Sequence, residues 1–247
     1  MRVTLVSLCF VVVGCVTSSP EIGEARMSPS LTQPTLHSIL LEKVQRWSAE
    51  GKPATLDTER TKRFEEIASW LAAKVRSGDE AELLFVCTHN SRRSHMSQLW
   101  AQAAAYAKGL KVKTHSAGTE TTAFNPRAVK ALRSHGIKIV ETGEVLGESN
   151  IVYEVGFGDG LPTVRNFSKK ISHDSNPTES FGAVMVCSSA DKSCPFVPGA
   201  DLRVAIPYID PKLSDGTDAE TSTYLAKSEE IGREMVWLMA RVAELIH

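Results

Sequence analysis

The stretch that most constrains this chain is Glu82 to Gly109, ELLFVCTHNSRRSHMSQLWAQAAAYAKG. It opens on Leu83 to Val86, an apolar run suited to a strand buried on both faces of a parallel sheet. It ends in a segment that sets Met96, Leu99, Trp100, Ala103, Ala104 and Ala107 on one helical face, with Gly109 as the stop. Between them Cys87 to Ser94 forms a polar loop with many hydrogen-bond donors and no carboxylate. A strand that feeds a helix through a tight loop aims successive backbone N–H groups, and the positive end of the helix dipole, at whatever occupies the loop. That composition predicts an anion cradle within an α/β fold.

A cysteine at the mouth of such a cradle has its thiolate stabilised, and the thiolate is the nucleophile. Arg93 can grip two oxygens of a tetrahedral oxyanion with its planar fork. Thr88, His89, Asn90, Ser91, Arg92, Arg93 and Ser94 are therefore the candidate oxyanion-binding residues, with Cys87 as the candidate nucleophile.

This placement, cysteine ending a strand with arginine and serine opening a helix, resembles the phosphate-binding loop of the low-molecular-weight protein tyrosine phosphatases and of the arsenate reductases that share their fold. Their Cys-x5-Arg-Ser pattern with an internal asparagine is matched by Cys87, Asn90, Arg93 and Ser94. The resemblance implies an open four-stranded parallel sheet flanked by helices. This chain departs from it at two places. Arg92 stands where many members carry a second cysteine, which adds to anion attraction but removes a local disulfide partner. His89 stands where glycine is common, and for His89 and His95 a neutral packing role is expected.

Leu110 to His115 alternates as a strand, Asn125 caps a following helix with Pro126 at its first position, and Gly136 lies past its end. The segments SAG and NPRAV here resemble the second strand and helix of the family, in which the serine, Ser116, supports the cradle. Thr142 to Ile171 is less regular. Ile151 to Phe157 and Thr163 to Phe167, separated by Gly-Asp-Gly-Leu-Pro with Gly-Asp-Gly as the turn, read as an inserted β-hairpin that forms an edge or covers the site.

Ala183 to Val186 is a second buried-strand candidate, and it too ends in a cysteine. Ligands of open parallel sheets bind at the carboxyl ends of strands, so Cys87 and Cys187 are placed on one rim. Cys194 follows after six residues of polar loop, too wide for a zinc knuckle, and no metal is expected. Cys187, Cys194 and Pro195 resemble instead the redox segment of thioredoxin-coupled arsenate reductases. Leu202 to Ile206 is the last strand, and Asp210 precedes a proline in the turn beyond it. In the family resembled an aspartate before proline on this loop is the general acid, and Asp210 with Pro211 matches it. From Asp218 onward one long helix closes the chain.

Ahead of this body, Leu36, Ile39, Leu40, Val44 and Trp47, then Phe64, Ile67, Ala68, Leu71 and Val75, fall at helical spacing, with Asp57 as an N-cap and Gly78 as a stop. They predict a two-helix N-terminal extension over 35–79 that packs on a main domain over 80–247. The first residues, MRVTLVSLCFVVVGC, hold an apolar run too short to span a bilayer. Their ending resembles the bacterial lipoprotein signal, which implies a signal peptide over 1–14, lipid on Cys15 and a flexible tether over 15–34. The protein would then be membrane-anchored, facing the periplasm or outer surface. An uncleaved segment, or a start at Met27, would leave it cytoplasmic. With Cys9 and Cys15 set aside, three thiols remain, an odd number that points to reactive chemistry rather than a disulfide framework. A net charge of -1 argues against a nucleic-acid partner.

Three functions are expected in order. The first is an arsenate reductase with a three-cysteine disulfide relay through Cys87, Cys187 and Cys194, needing no tightly bound cofactor but an external thiol reductant such as thioredoxin. The second is a phosphatase acting on phosphotyrosine or small phosphomonoesters. The third is a non-catalytic oxyanion-binding or redox-sensing lipoprotein.

Overall fold

The computed structural model describes residues 34–247. The expected signal, tether and lipidation site at Cys15 lie outside the described residues. A two-residue strand, β1 (Thr35–Leu36), leads into α1 (Ser38–Glu50) and α2 (Thr58–Arg76), whose start is capped by the Asp57 side chain on the Arg60 N–H at 2.8 Å. Then follow β2 (Ala81–Cys87), α3 (Arg93–Ala107), β3 (Val112–Gly118) and α4 (Pro126–Ser134). An antiparallel region holds β4 (Lys138–Leu146), β5 (Asn150–Gly156), β6 (Gly158–Asp159) and β7 (Val164–Asn166). The chain finishes with β8 (Phe181–Met185), α5 (Ser188–Ser193), β9 (Ala200–Ala205), a short 3-10 turn over Pro211–Ser214 and α6 (Glu220–Ile246).

The main sheet is parallel with strand order β3-β2-β8-β9. Its central strands β2 and β8 are apolar and buried, as strands covered on both faces must be. Cys87 lies beside Gly118 in register, so β3 runs on to the end of SAG instead of stopping near His115. Helix α3 is fixed to β3 by glutamines: Gln98 and Gln102 donate to the Thr114 and Val112 carbonyls at 3.0 and 3.1 Å.

Helix α6 draws the other helices together. Trp100 of α3 donates from Nε1 to Ser228 Oγ at 3.0 Å, and a side chain at Gly232 would lie within 2.8 Å of Trp47 and Trp100, whose rings pack there. Glu234 of α6 is buried and meets Arg60 of α2 through two hydrogen bonds, 3.0 and 2.7 Å, while Tyr208 donates to it at 2.6 Å. Arg60 also donates to the Pro207 carbonyl at 3.1 Å. The N-terminal helices, expected only to pack, thus hold the segment that leads to Asp210.

The expected hairpin is present, since β5 pairs antiparallel with β7 through Tyr153 and Asn166. It belongs to a larger sheet. β4 pairs along the other side of β5, and the Gly-Asp of the supposed turn instead forms β6, paired with β1 near the start of the described chain. The expected polar loop between Cys187 and Cys194 is corrected to helix α5, because the Cys187 side chain caps the Ala190 N–H.

Candidate active site

Cys87 is 3% exposed at the carboxyl end of β2, with its Sγ 3.1 Å from Ser94 Oγ. Asn90 Nδ2 donates to the same Ser94 oxygen at 2.8 Å, which leaves the serine proton to point at the sulfur. The loop carbonyls are turned to the surrounding protein. Those of Cys87 and Thr88 accept from the Thr119 and Glu120 N–H groups at 3.2 and 2.8 Å, and that of Ser91 from the Asn125 N–H at 2.9 Å. The His89 carbonyl accepts from the hydroxyls of Thr122 and Ser168 at 3.2 and 3.0 Å. Among the described residues no backbone N–H from His89 to Ser94 donates to a protein acceptor, and the N-terminus of α3 has no side-chain cap. Open donors around a thiol at a helix start are the arrangement that suits an anion.

The loop holds this shape through residues around it. Asn90 adopts a positive φ of 43°, which an asparagine tolerates better than most residues. Its Oδ1 accepts from the Lys169 N–H at 2.8 Å, and its carbonyl lies 2.9 Å from His95 Nε2. A carbonyl only accepts, so Nε2 carries the proton and Nδ1 accepts from the Ser116 hydroxyl at 3.1 Å. Ser116 therefore reaches the loop through His95. Burial first, and the Lys169 charge second, push His95 down to about 3, so its imidazole stays neutral. Burial also lowers Lys169, to about 8.

Gly118 allows the close approach. A Cβ there would stand 2.7 Å from both the Asn90 nitrogen and the Thr88 carbonyl oxygen, and still nearer the Glu120 carbonyl. His95, Gly118, Ser168 and Lys169 are the supports the sequence reading did not assign to the loop. Only the glycine of SAG offered a local signal.

Arg93 and Asp210 are brought together. The arginine donates from Nη2 to Asp210 Oδ2 at 2.7 Å and from Nη1 to the Tyr208 carbonyl at 2.9 Å. Arg92 corrects the expectation that its charge serves the cradle. Its guanidinium donates to Tyr224 Oη at 2.6 Å and to Asp215 Oδ2 at 3.2 Å, leaving its backbone N–H as its part in the loop. The His89 side chain is exposed and lies 3.4 Å from Glu120, so its part too is main-chain.

Cys187 is buried with its sulfur 3.4 Å from Thr88 Oγ1, beside the residue that follows Cys87. Cys194, half-buried, ends α5, and its carbonyl accepts from Arg203 Nε at 3.0 Å. All three thiols are unpaired. Among the described residues no group of His, Cys, Asp and Glu converges to hold a metal ion.

Residues 82–148 match the family model described as low molecular weight phosphotyrosine protein phosphatase. The arsenate reductase of Staphylococcus aureus (strain Newman) is 32% identical over 116 residues, covering 47% of this chain and 67% of the relative. That of Bacillus subtilis (strain 168) is 27% identical over 154 residues, covering 62% and 91%. Among solved structures, a low molecular weight phosphotyrosine phosphatase from Vibrio cholerae is matched at 16% identity with a TM-score of 0.43, over 64% of this chain and 94% of that one. An arsenate reductase in a phosphate-binding state is matched at 15% identity with a TM-score of 0.42, over 66% and 98%. By the identity and coverage of its sequence relatives, this chain belongs to the enzyme family that unites low-molecular-weight protein tyrosine phosphatases and thioredoxin-coupled arsenate reductases.

Proposed function

We propose that the chain is an arsenate reductase in which Cys87, Cys187 and Cys194 form a disulfide relay. The observation that carries this reading is the second thiol at the cradle: Cys187 lies 3.4 Å from the hydroxyl of Thr88, a position that a hydrolytic phosphatase has no use for. Arsenate sits in the loop with its oxygens on the amides of residues 88–94 and on Arg93, which releases Asp210 to make that contact. The Cys87 thiolate attacks arsenic, and Asp210 protonates the departing oxygen, which leaves as water. Cys187 then attacks Cys87 Sγ. The sulfur–sulfur bond forms, the arsenic–sulfur pair returns to arsenic, and arsenite leaves. Cys194 attacks Cys187, freeing Cys87, and an external dithiol such as thioredoxin reduces the resulting disulfide.

The last exchange requires α5 to change shape. Cys187 and Cys194 cap opposite ends of a six-residue helix, which puts their Cα atoms roughly 10 Å apart along its axis. A disulfide closes only when they are within about 7 Å.

A phosphatase reading is favoured by one feature, the apolar rim beside Asp210. Ile209 and Leu213 are 72% and 84% exposed on either side of it and could flank an aryl group. Assays with both substrates separate the two. Arsenite release that needs a thiol donor and disappears in Cys187→Ser and Cys194→Ser supports the reductase. Aryl phosphate hydrolysis that survives both substitutions but not Cys87→Ser rejects it. A lipid on Cys15 would place the relay in an oxidising compartment that favours the Cys187–Cys194 disulfide. Release of Cys15→Ser from membranes is the result expected of that anchor.

A further inference from the structure

Two arginines stand side by side at the start of α3, and the structure gives them different tasks. Arg93 holds Asp210 and the Tyr208 carbonyl, while Arg92 reaches Asp215 and Tyr224. Tyr224 closes a triangle by donating to Asp215 Oδ1 at 2.8 Å. Asp210 and Asp215 are the two ends of one short turn. Asp210 Oδ1 accepts from the Lys212 N–H at 3.1 Å, the Asp215 N–H donates to the Lys212 carbonyl at 3.0 Å, and Ser214 Oγ donates to the Pro211 carbonyl at 2.8 Å. Such a turn moves as a unit, so holding Asp215 holds Asp210.

An oxyanion that takes Arg93 would remove the contact that ties the Asp210 carboxyl to the first residue of α3. Arg92 stays out of that exchange, since its side chain is 12% exposed and its Nε and Nη2 donors are engaged by Tyr224 and Asp215. We propose that Arg92, acting through Asp215 and Tyr224, is a positioning residue that keeps the Asp210 turn against the loaded cradle. This rests on the reading of Asp210 as the general acid.

The first test needs no turnover. Amide hydrogen exchange is measured on the full chain saturated with inorganic phosphate. In Arg92→Gln the Lys212 and Asp215 amides should exchange about tenfold faster, with β2 and α3 unchanged. Tyr224→Phe, which removes a single hydroxyl, should give a smaller increase in the same turn and guards against loss of the fold. Unchanged exchange in both variants overturns the proposal.

The second test uses whichever substrate the wild type turns over. Arg92→Gln should lower kcat/KM about tenfold, a part of the roughly 100- to 10,000-fold that a general acid supplies. Phosphate affinity should hold, and the Asp210→Asn background should show no further loss. An equal loss in both backgrounds, or lost phosphate binding, overturns the proposal. If Asp210→Asn leaves turnover intact, the acid assignment has failed, and the exchange measurement still decides whether Arg92 holds the turn.

Discussion

At the residue scale, the chemistry proposed for the loop turns on what Arg93 holds. Its partner is the Asp210 carboxylate at 2.7 Å, so a doubly charged oxyanion must displace a like charge to reach it. Replacing Asp210 with asparagine keeps a hydrogen-bond acceptor and removes that competition. Asp210→Asn should bind inorganic phosphate roughly fivefold more tightly, about 1 kcal/mol at a partly exposed pair, while turnover falls. Titration calorimetry reads this, and weaker binding would show that Asp210 does not compete for the guanidinium. His95 makes a second case. Its folded value of about 3 lies below the ordinary 6.5, so the unfolded chain binds the extra proton across that window. The contribution of His95 to stability is therefore present above pH 6.5 and is lost as pH falls toward 3, by roughly 1 kcal/mol per pH unit between pH 7 and 5. Urea unfolding at pH 7 and pH 5 should show this loss, and His95→Gln should shrink it by that amount per unit.

At the element scale, α5 and the end of β3 carry the sharpest expectations. If Cys187 and Cys194 join, α5 has to unwind, and Arg203 resists, since it holds the Cys194 and Asp191 carbonyls at 3.0 and 2.8 Å. Oxidation should abolish the exchange protection of residues 188–193, and Arg203→Ala should form the disulfide several-fold faster. Retained protection in the oxidised protein would rule out the internal relay. Gly118→Ala drives a methyl into the backbone of the cradle loop and should cost at least about 1–3 kcal/mol together with phosphate binding. These elements also show what the sequence could carry. The strand–loop–helix of Glu82–Gly109 was legible because its signals are local: an apolar run, a polar loop, a helical stripe and a glycine. Helix α5 was not, because a cysteine side chain serves as its N-cap and six residues are too few for a periodic stripe. The pairing of β6 with β1 was hidden for a different reason. It joins Asp159 to Thr35 across more than half of the chain, and Gly-Asp-Gly reads locally as a turn. Likewise nothing near Ser168 or Lys169 announces that both hold a loop some eighty residues earlier.

At the scale of the whole molecule, the N-terminal helices and the segment leading to Asp210 are joined through a buried charge. Glu234 is fully buried on α6, and its carboxylate is met by Arg60 from α2 and by the phenol of Tyr208. Burial, and then the Glu234 charge, raise Tyr208 far above the usual phenol value, so its proton remains available to that carboxylate. Arg60 further holds Pro207, and Tyr208 presents its carbonyl to Arg93, so the route from α2 to the cradle arginine is a short chain of hydrogen bonds. Breaking one side of a buried pair strands the other charge and costs about 3–5 kcal/mol. Arg60→Met should lose stability on that order in urea unfolding. It should also loosen Pro207 and Tyr208, raising KM for the oxyanion because Arg93 loses a fixed neighbour. The double variant Arg60→Met with Glu234→Leu removes both charges and should recover much of the stability without restoring KM, since Pro207 still lacks its donor. Recovery of both together would mean that the pair acts only through stability, and that the helices ahead of the sheet have no part in shaping the site.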